Sequence, residues 1–536
     1  MIIEYQMNPD WLWSLIFIGY LEMHYRFRFF PFSRYFRREP EILADAPHRL
    51  NPGQPLPVTI LIKDAHRFPI TLLDVRLVLT DDNGGKIVTE KKYSRRLTDP
   101  WFEDIITIAT GELTDPVTIA ADIAYRINGR PKCVRNHNVP TSPAFPLLTT
   151  IAAEPLPGAT EYFWGDLHYH SSFTEDFVEF GAPLTATRSA AAALGLDFVA
   201  VSDHSYDLDN TNDSWKINDP ELQKWRRSRT EIAALNTSAG LLLLPAEEVT
   251  VRNARGRNVH LLVYNHADFI AGSGDGAEVW GQNRSEHDIA GVLKLLGPDA
   301  LAIAAHPGVV TPPLEWLLIR RGRWEQADRS TAGLAGFQIV NGAWDRGAHR
   351  GLRHWIRLLL SGRRTTIVAG NDAHGNFNHF HQIGLPMVST RHHGDQILGR
   401  WRTGVLRSGE LTAGNILTGI RRGRCIVSDG PALLLTAVTD REYSLGDVIP
   451  GGQFTLLAEC RSSVEFGALR ELLVYHGHIG DTSEKLVLTR HWSDGQFRTE
   501  TKQALDFPRG SGYLRAALTT TSGRRCLSNP IWIEND

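Results

Sequence analysis

Cysteine is scarce in this chain. Its 536 residues include 4 cysteines, at positions 133, 425, 460 and 526, with no CxxC pair and no zinc-finger spacing. A structural zinc site built on thiolates is therefore excluded, while a disulfide between two of the three C-terminal cysteines stays open. Long hydrophobic runs are missing too. The most apolar stretch, Trp11 to Leu21, is well short of the ~20 residues that cross a bilayer. Charge of one sign is not in excess: a net charge of −3 provides no general attraction to nucleic acid, which needs a basic face. No small-residue cleavage site follows the apolar N-terminus, so the cytoplasm is the default expectation. P-loop, HExxH and GxSxG motifs are also absent, which removes three common catalytic designs.

What is present begins with the N-terminus. Behind Trp11–Leu21 come Arg26, Arg28, Arg34, Arg37 and Arg38, interleaved with aromatic residues. A helix packed on the protein's own surface is one reading. The other is peripheral membrane contact through residues 11–38, an interfacial helix on acidic lipid.

A chain of this length holds two to four domains at one per ~150 residues. Residues 1–50 form the apolar and basic segment. Residues 51–140 are expected to be a β-sandwich, from β-branched runs such as Val58–Ile62, Leu72–Leu79 and Val117–Tyr125 with turn chemistry between them. Residues 141–160 read as a proline-rich linker. Residues 161–390 alternate apolar runs with helical segments, residues 391–430 connect, and residues 431–536 return to short strands, a second β-sandwich.

The middle unit has seven candidate strands: 163–168, 198–204, 241–249, 259–265, 301–306, 336–341 and 365–372. Alternation with helices predicts a parallel α/β barrel or a close relative. Helices are signalled by the alanine-rich segment from Pro183 to Leu194, by Asp219-Pro220-Glu221, by a capping box at Ser285–Asp288 and by His349–Leu360. The glycines from Gly272 to Gly276 read as a flexible loop.

His, Asp and Glu collect at the carboxyl ends of these strands, where α/β barrels place ligand-binding side chains. His168 and His170 close the first, Asp203-His204 the second, Glu247-Glu248 the third, His306 the fifth, and Asp372 and His374 the seventh. His260 opens the fourth. One histidine on an apolar run is an ordinary core residue, but a succession of such clusters is not. Imidazole and carboxylate without thiolate suit zinc, manganese or iron.

The ordered series Gly165-Asp-Leu-His-Tyr-His-Ser171, Gly195–His204, Pro245–Thr250 with Val259–Leu262, Ala305-His-Pro-Gly308 and Gly370-Asn-Asp-Ala-His374 resembles the PHP family (polymerase and histidinol phosphatase). The likeness covers about residues 162–386. It implies a distorted seven-stranded barrel, here flanked by two β-sandwich (Ig-like) domains, with two or three divalent ions. Carried over by position, His168, His170, Glu248 and Asp372 hold one metal. Glu248 bridges to a second with His260 and His306, and Asp176, His204 and His374 hold a third. Glu175 is the alternative to Asp176, and Glu247 to Glu248. The resemblance also implies a phosphoesterase acting on a small phosphorylated substrate through metal-activated water. His168, His170, Asp203, Glu248, His306 and Asp372 would carry the chemistry, Asp203 by supporting an imidazole or else as a turn cap.

Arg252, Arg255 and Arg257 are candidate phosphate contacts, and Asn376, Asn378, His379 and His381 candidate pocket residues. Two other readings remain. An amidohydrolase-type barrel also begins His-x-His, but usually has a bridging lysine where this chain has glutamate. A non-catalytic protein binding through its β-domains would carry no metal.

Overall fold

The computed structural model describes residues 39–111, 113–138, 144, 146–175, 181–212, 214–276, 283–311, 313–378, 396–507 and 510–534. The segment 11–38, Asp176, His379 and His381 lie outside them.

Near the N-terminus, Leu56–Lys63 pairs antiparallel with both Glu41–Asp45 and Trp101–Ile108. A second sheet is built from Ile70–Asp81, Lys86–Leu97, Val117–Ile127 and Arg130–Arg135. Val58, Ile60 and Ile62 from the first sheet meet Leu72, Val75 and Leu77 from the second in one core. The expected 141–160 linker is corrected in part. Leu147–Ile151 is a strand, pairing with Val117–Ile119 and with Arg49–Leu50, and its alternation of buried Leu147 and Thr149 with exposed Leu148 has the strand period.

Seven central strands stand where the apolar runs placed them: β1 (Tyr162–His170), β2 (Phe198–Val201), β3 (Leu242–Arg252), β4 (Asn258–Tyr264), β5 (Leu301–Ala304), β6 (Gly336–Asn341) and β7 (Thr366–Gly370). Their directions differ from expectation. β1, β2 and β3 are parallel, β4 runs antiparallel to both β3 and β5, and β5, β6 and β7 are parallel again. The cause is local. Asn253 Oδ1 accepts from the N–H groups of Arg255 and Arg257 at 2.9 Å each, an Asx-type turn that reverses the chain without a crossover helix.

The expected helix-rich (β/α)7 barrel with separate flanking sandwiches is thereby corrected. Strands hold about 45% of residues and helices about 15%, too few helices for one per strand. The central sheet also does not stop at a domain border. β1 pairs with Arg402–Leu406, which pairs with Cys425–Ser428, which pairs with Arg525–Ser528. One layer of the C-terminal β-structure is therefore an extension of the central sheet. The other layer is Ala432–Val438, Gly452–Arg461 and Arg498–Phe507. All four cysteines are free.

Helices α1 (Leu184–Leu194), α2 (Gln223–Leu235) and α3 (Arg346–Leu360) pack on the sheet. Gly195, at φ 85°, ends α1 in the left-handed region that glycine enters without strain. Asp345 caps α3 by accepting from Ala348 N at 2.9 Å. The expected capping box at Ser285 is replaced. Asp288 is the N-cap, accepting from Gly291 N at 2.7 Å, and Ser285 Oγ turns inward to Asn258 Oδ1.

Beneath the strand ends lies a plug of Leu167, Phe198, Leu244, Leu262, Ile303 and Val368, all fully buried. Each contributes about 1.5–3 kcal/mol of burial free energy. Past β7 the chain returns to β1. Asp372 N donates to His168 O at 2.8 Å, and Ala373–His374 pairs in parallel with Tyr169–His170. Buried Asp166 ties this return together, accepting from Asn371 N, from Asn371 Nδ2 at 2.6 Å and from Gly399 N. The ends of β1, β2, β3 and β7 consequently share one rim.

Candidate metal centre

Eight described residues of the proposed set meet on that rim, all buried or nearly so. Glu248 sits at the middle. Its Oε2 lies 3.3 Å from His168 Nε2, 3.4 Å from His170 Nε2 and 3.1 Å from His204 Nδ1. Its Oε1 lies 2.6 Å from His260 Nδ1 and 3.3 Å from His306 Nε2. Asp372 Oδ1 faces His168 and His170 at 3.3 and 3.1 Å, and the His374 ring stacks on His170 with centroids 4.1 Å apart. Three groups have ligand atoms close enough to share an ion: His168, His170, Glu248 and Asp372; His170, His204 and His374; and His204, Glu248 and His260.

Hydrogen bonds behind the rim decide which nitrogen faces in. Gln338 Nε2 donates to Asn341 Oδ1 at 2.8 Å, which fixes the amide so that Gln338 Oε1 accepts from His168 Nδ1–H at 2.9 Å. Thr174 Oγ1 donates to Asp203 at 3.0 Å, so the same oxygen accepts from His170 Nδ1–H at 3.2 Å. In their neutral forms both rings therefore keep the lone pair on Nε2, and the two Nε2 atoms lie 3.1 Å apart. Two neutral imidazoles so arranged repel unless a positive charge sits against both. The tautomers thus follow from the second layer of partners, as at histidine metal ligands generally.

A proton is the smallest such charge, and the neighbouring carboxylates favour one on His170. Burial opposes charge on His170, yet hydrogen bonds to Asp372 and Glu248 push it up to about 10. His204, buried beside His170, is pushed down to about 3. Although burial works against them, neighbouring imidazoles hold Glu248 and Asp372 well below the usual carboxylate range. The pocket holds its carboxylates ionised and calls for positive charge beside them. His306 and Asp372 have φ of 31° and 54°, the left-handed region that residues with a side chain rarely occupy and that clusters at functional sites.

Three alternatives separate cleanly. Glu247 points away, accepting from Trp225 Nε1 and Arg229 Nη2 at 2.7 Å each. Glu175 pairs with Lys63 at 3.2 Å, outside the cluster. Asp203 touches no imidazole. It accepts from Ser171 N, Ser171 Oγ, Thr174 N and Thr174 Oγ1, and so positions the loop that orients His170.

The expected substrate arginines do not converge. Among the described residues Arg252 reaches Glu286 O, Arg255 pairs with Glu325 at 3.1 Å, and Arg257 lies 3.8 Å over the Trp316 ring. The reason is again the Asn253 turn, which carries all three past the rim. Asn376 is buried, with its amide directed at Gln396 O, and the Asn378 amide bonds the Leu148 backbone.

The glycine segment 272–276, expected to be only a loop, instead delivers Asp275. This residue is buried and accepts from Thr250 Oγ1 at 2.5 Å, His260 Nε2 at 2.8 Å and Arg321 Nη1 at 2.5 Å. A side chain at Gly274 would collide with Ser285 and Asn258, which is why glycine is needed beside the aspartate. Asp275, Arg321, Gln338 and Thr174 were not foreseen, and only the Gly-Asp-Gly spacing offered a cue. A cavity of about 240 Å³ opens over the cluster, with His260, His306, Arg321 and Asp372 on its polar wall and Val309 and Trp324 on its apolar one.

No family model matches the chain, and no curated protein matches it either. Solved structures do match over most of the chain. A glycosyl hydrolase family 2 member from Bacteroides cellulosilyticus is 9% identical, with 92% of this chain and 63% of that one covered and a TM-score of 0.15. A Paenibacillus cycloisomaltooligosaccharide glucanotransferase is 12% identical, with coverage of 92% and 71% and a TM-score of 0.17. A β-glucuronidase from Bacteroides uniformis is 9% identical, with coverage of 92% and 61% and a TM-score of 0.17. The chain spans less than two thirds of the length of the first and third, and TM-scores this low transfer neither fold nor activity. Two of the three are named as glycosidases, one as a glucanotransferase and none as a phosphoesterase, so the expectation of a PHP-type phosphoesterase is withdrawn and the coarser one of a hydrolase kept. Among the described residues, no helix is long and apolar enough to cross a membrane.

Proposed function

We propose that the chain is a metal-dependent hydrolase, with two or three divalent ions (zinc, manganese or iron) held at the rim of the central sheet. The observation that carries this reading is the pair of Nε2 lone pairs on His168 and His170, aimed at one point beside Glu248 Oε2 and Asp372 Oδ1. Bound there, divalent cations supply an acidified water and polarise the bond to be cleaved.

The chain's own residues do the rest. Gln338 and Thr174 hold the two imidazoles as lone-pair donors. Glu248 offers one oxygen to each half of the centre, the disposition of a bridging carboxylate. Asn341 and Gln396 donate to Asp372 Oδ2 at 3.1 and 3.2 Å, which leaves Oδ1 facing the histidines. Arg321, neutralised by Asp275, positions His260, and the apolar wall of the cavity keeps bulk water from part of the site.

Elemental analysis of the purified chain tests the first half of the proposal, with at least two equivalents of a transition metal expected. A panel of chromogenic glycosides, esters, anilides and phosphates, run with zinc or manganese, tests the second. Hydrolysis of one class is expected, and it should vanish in His168→Ala and Asp372→Ala. Protein free of metal after growth in supplemented medium, or activity that survives both substitutions, would overturn it.

A further inference from the structure

A second polar cavity, of about 400 Å³, lies where the N-terminal strands, the central sheet and the C-terminal β-structure meet. His48, Arg400, Arg402, Asp429, Glu465 and Arg524 line it. Its carboxylates are already engaged. Glu465 pairs with Arg49 at 3.0 Å. Asp429 accepts from Arg525 N at 2.6 Å and faces Arg524 at 3.4 Å.

Arg402 has no such partner. Its side chain is 2% exposed, Nη1 donates to Gly399 O at 2.9 Å, and its guanidinium lies 5.4 Å from the Phe466 ring. Among the described residues, no carboxylate is within ion-pair distance of it. A guanidinium carries five N–H donors in a planar fork, and a buried charge without a counter-charge is strongly unfavourable. Burial, then the charge of Arg49, pushes Arg402 down to about 10 against the pull of Glu465 and Asp429, so it is still a cation at neutral pH. Beside Arg400 and Arg402, buried His48 is held neutral, near 3, and so offers hydrogen bonding rather than charge.

We infer that this cavity binds a small anion through a phosphate or carboxylate group, with Arg402 as its principal partner and Arg524 at the rim. Planar bidentate recognition is what a guanidinium gives to either group. The volume exceeds that of a bare oxyanion and falls in the range of small-molecule pockets, so the group is carried on a larger body. The site uses residues from all three parts of the chain and none of the metal-centre ligands, so the inference is independent of the hydrolase reading.

The test uses the full chain, chelator-treated so that no bound metal contributes anion binding. Inorganic phosphate and succinate are titrated separately by calorimetry and by thermal unfolding, against sodium chloride at matched ionic strength. One of the two anions should bind saturably and raise the midpoint beyond the chloride control. A response to phosphate alone identifies a phosphate ligand and one to succinate alone a carboxylate, while a response to both leaves the shared oxyanion as the recognised group.

Arg402→Gln should abolish the response and Arg524→Gln should weaken it about tenfold. Arg402→Met should raise the midpoint in the absence of any anion, because it removes a buried charge that no carboxylate pairs directly. If the Arg402 variants do not fold, the Arg400→Gln, Arg524→Gln double variant replaces them, with loss of the response expected. An unresponsive parent protein, or a response of equal size in the folded variants, overturns the inference.

Discussion

Thr174→Val is the sharpest perturbation of the proposed metal centre, because it keeps the shape of a fully buried side chain and removes one oxygen. That oxygen donates to Asp203 at 3.0 Å and accepts from His170 Nδ1–H at 3.2 Å and from His204 N at 3.3 Å. Without it, two buried donors lose their acceptor, at ~1–3 kcal/mol each. Because they share a partner the costs overlap, and a total near ~2–4 kcal/mol follows. The Asp203 contacts to Ser171 and to Thr174 N survive, so the loop stays in place.

The more specific consequence falls on His170. Its tautomer is no longer enforced, and the fraction with the lone pair on Nε2 drops. Loss of such a supporting contact lowers metal affinity about 10–100-fold. Two measurements separate the effects. Urea denaturation of the chelated protein reads the stability term, and competition with a chromophoric chelator for zinc reads the affinity term. Zinc affinity within about threefold of the parent, despite a stability loss of the expected size, would refute the claim that Thr174 orients a ligand.

Glu247→Gln should leave metal content intact and cost stability through Trp225 and Arg229, whereas Glu248→Gln should empty the centre; elemental analysis of the pair checks this. Chelation should lower the thermal midpoint in proportion to metal affinity, read by calorimetry with and without chelator. Burial, then the charge of Glu286, pushes Asp209 up from 3.8 to about 7, and its Oδ1 has no hydrogen-bond partner. The folded state therefore holds this proton more tightly than the unfolded chain. Its contribution to stability is fully present below about pH 4 and is lost as pH rises through about 7. The urea midpoint at about pH 5 relative to about pH 8 should accordingly fall in Asp209→Asn, which removes the titration. Arg49→Met should destabilise by about 3–5 kcal/mol, since it strands Glu465 and three carbonyl or amide oxygens; urea denaturation checks it.

Two kinds of information in this chain differ in how they can be read. Strand positions and the polar residues at strand ends are local. Apolar runs such as Phe198–Val201 and Leu301–Ala304 have nowhere to go but the core, and a polar ligand at the end of such a run is visible from its neighbours alone. Strand direction and second-layer contacts are not local. Whether β4 returns antiparallel depends on Asn253 closing a turn, and a sequence with crossover helices elsewhere gives no warning of one hairpin among them. That single reversal moved Arg252, Arg255 and Arg257 off the rim, so an error in topology became an error in the expected substrate site.

Asp275 is the converse case. It lies outside any apolar run, 15 residues from its partner His260, and only packing of Gly274 against Ser285 and Asn258 brings it in. Thr174 and Gln338 are ordinary polar residues until the geometry shows that each settles one imidazole's tautomer. The residues that meet on the rim were therefore legible and their orientation was not, and the orientation is what makes the pair His168 and His170 a demand for a cation rather than two buried histidines.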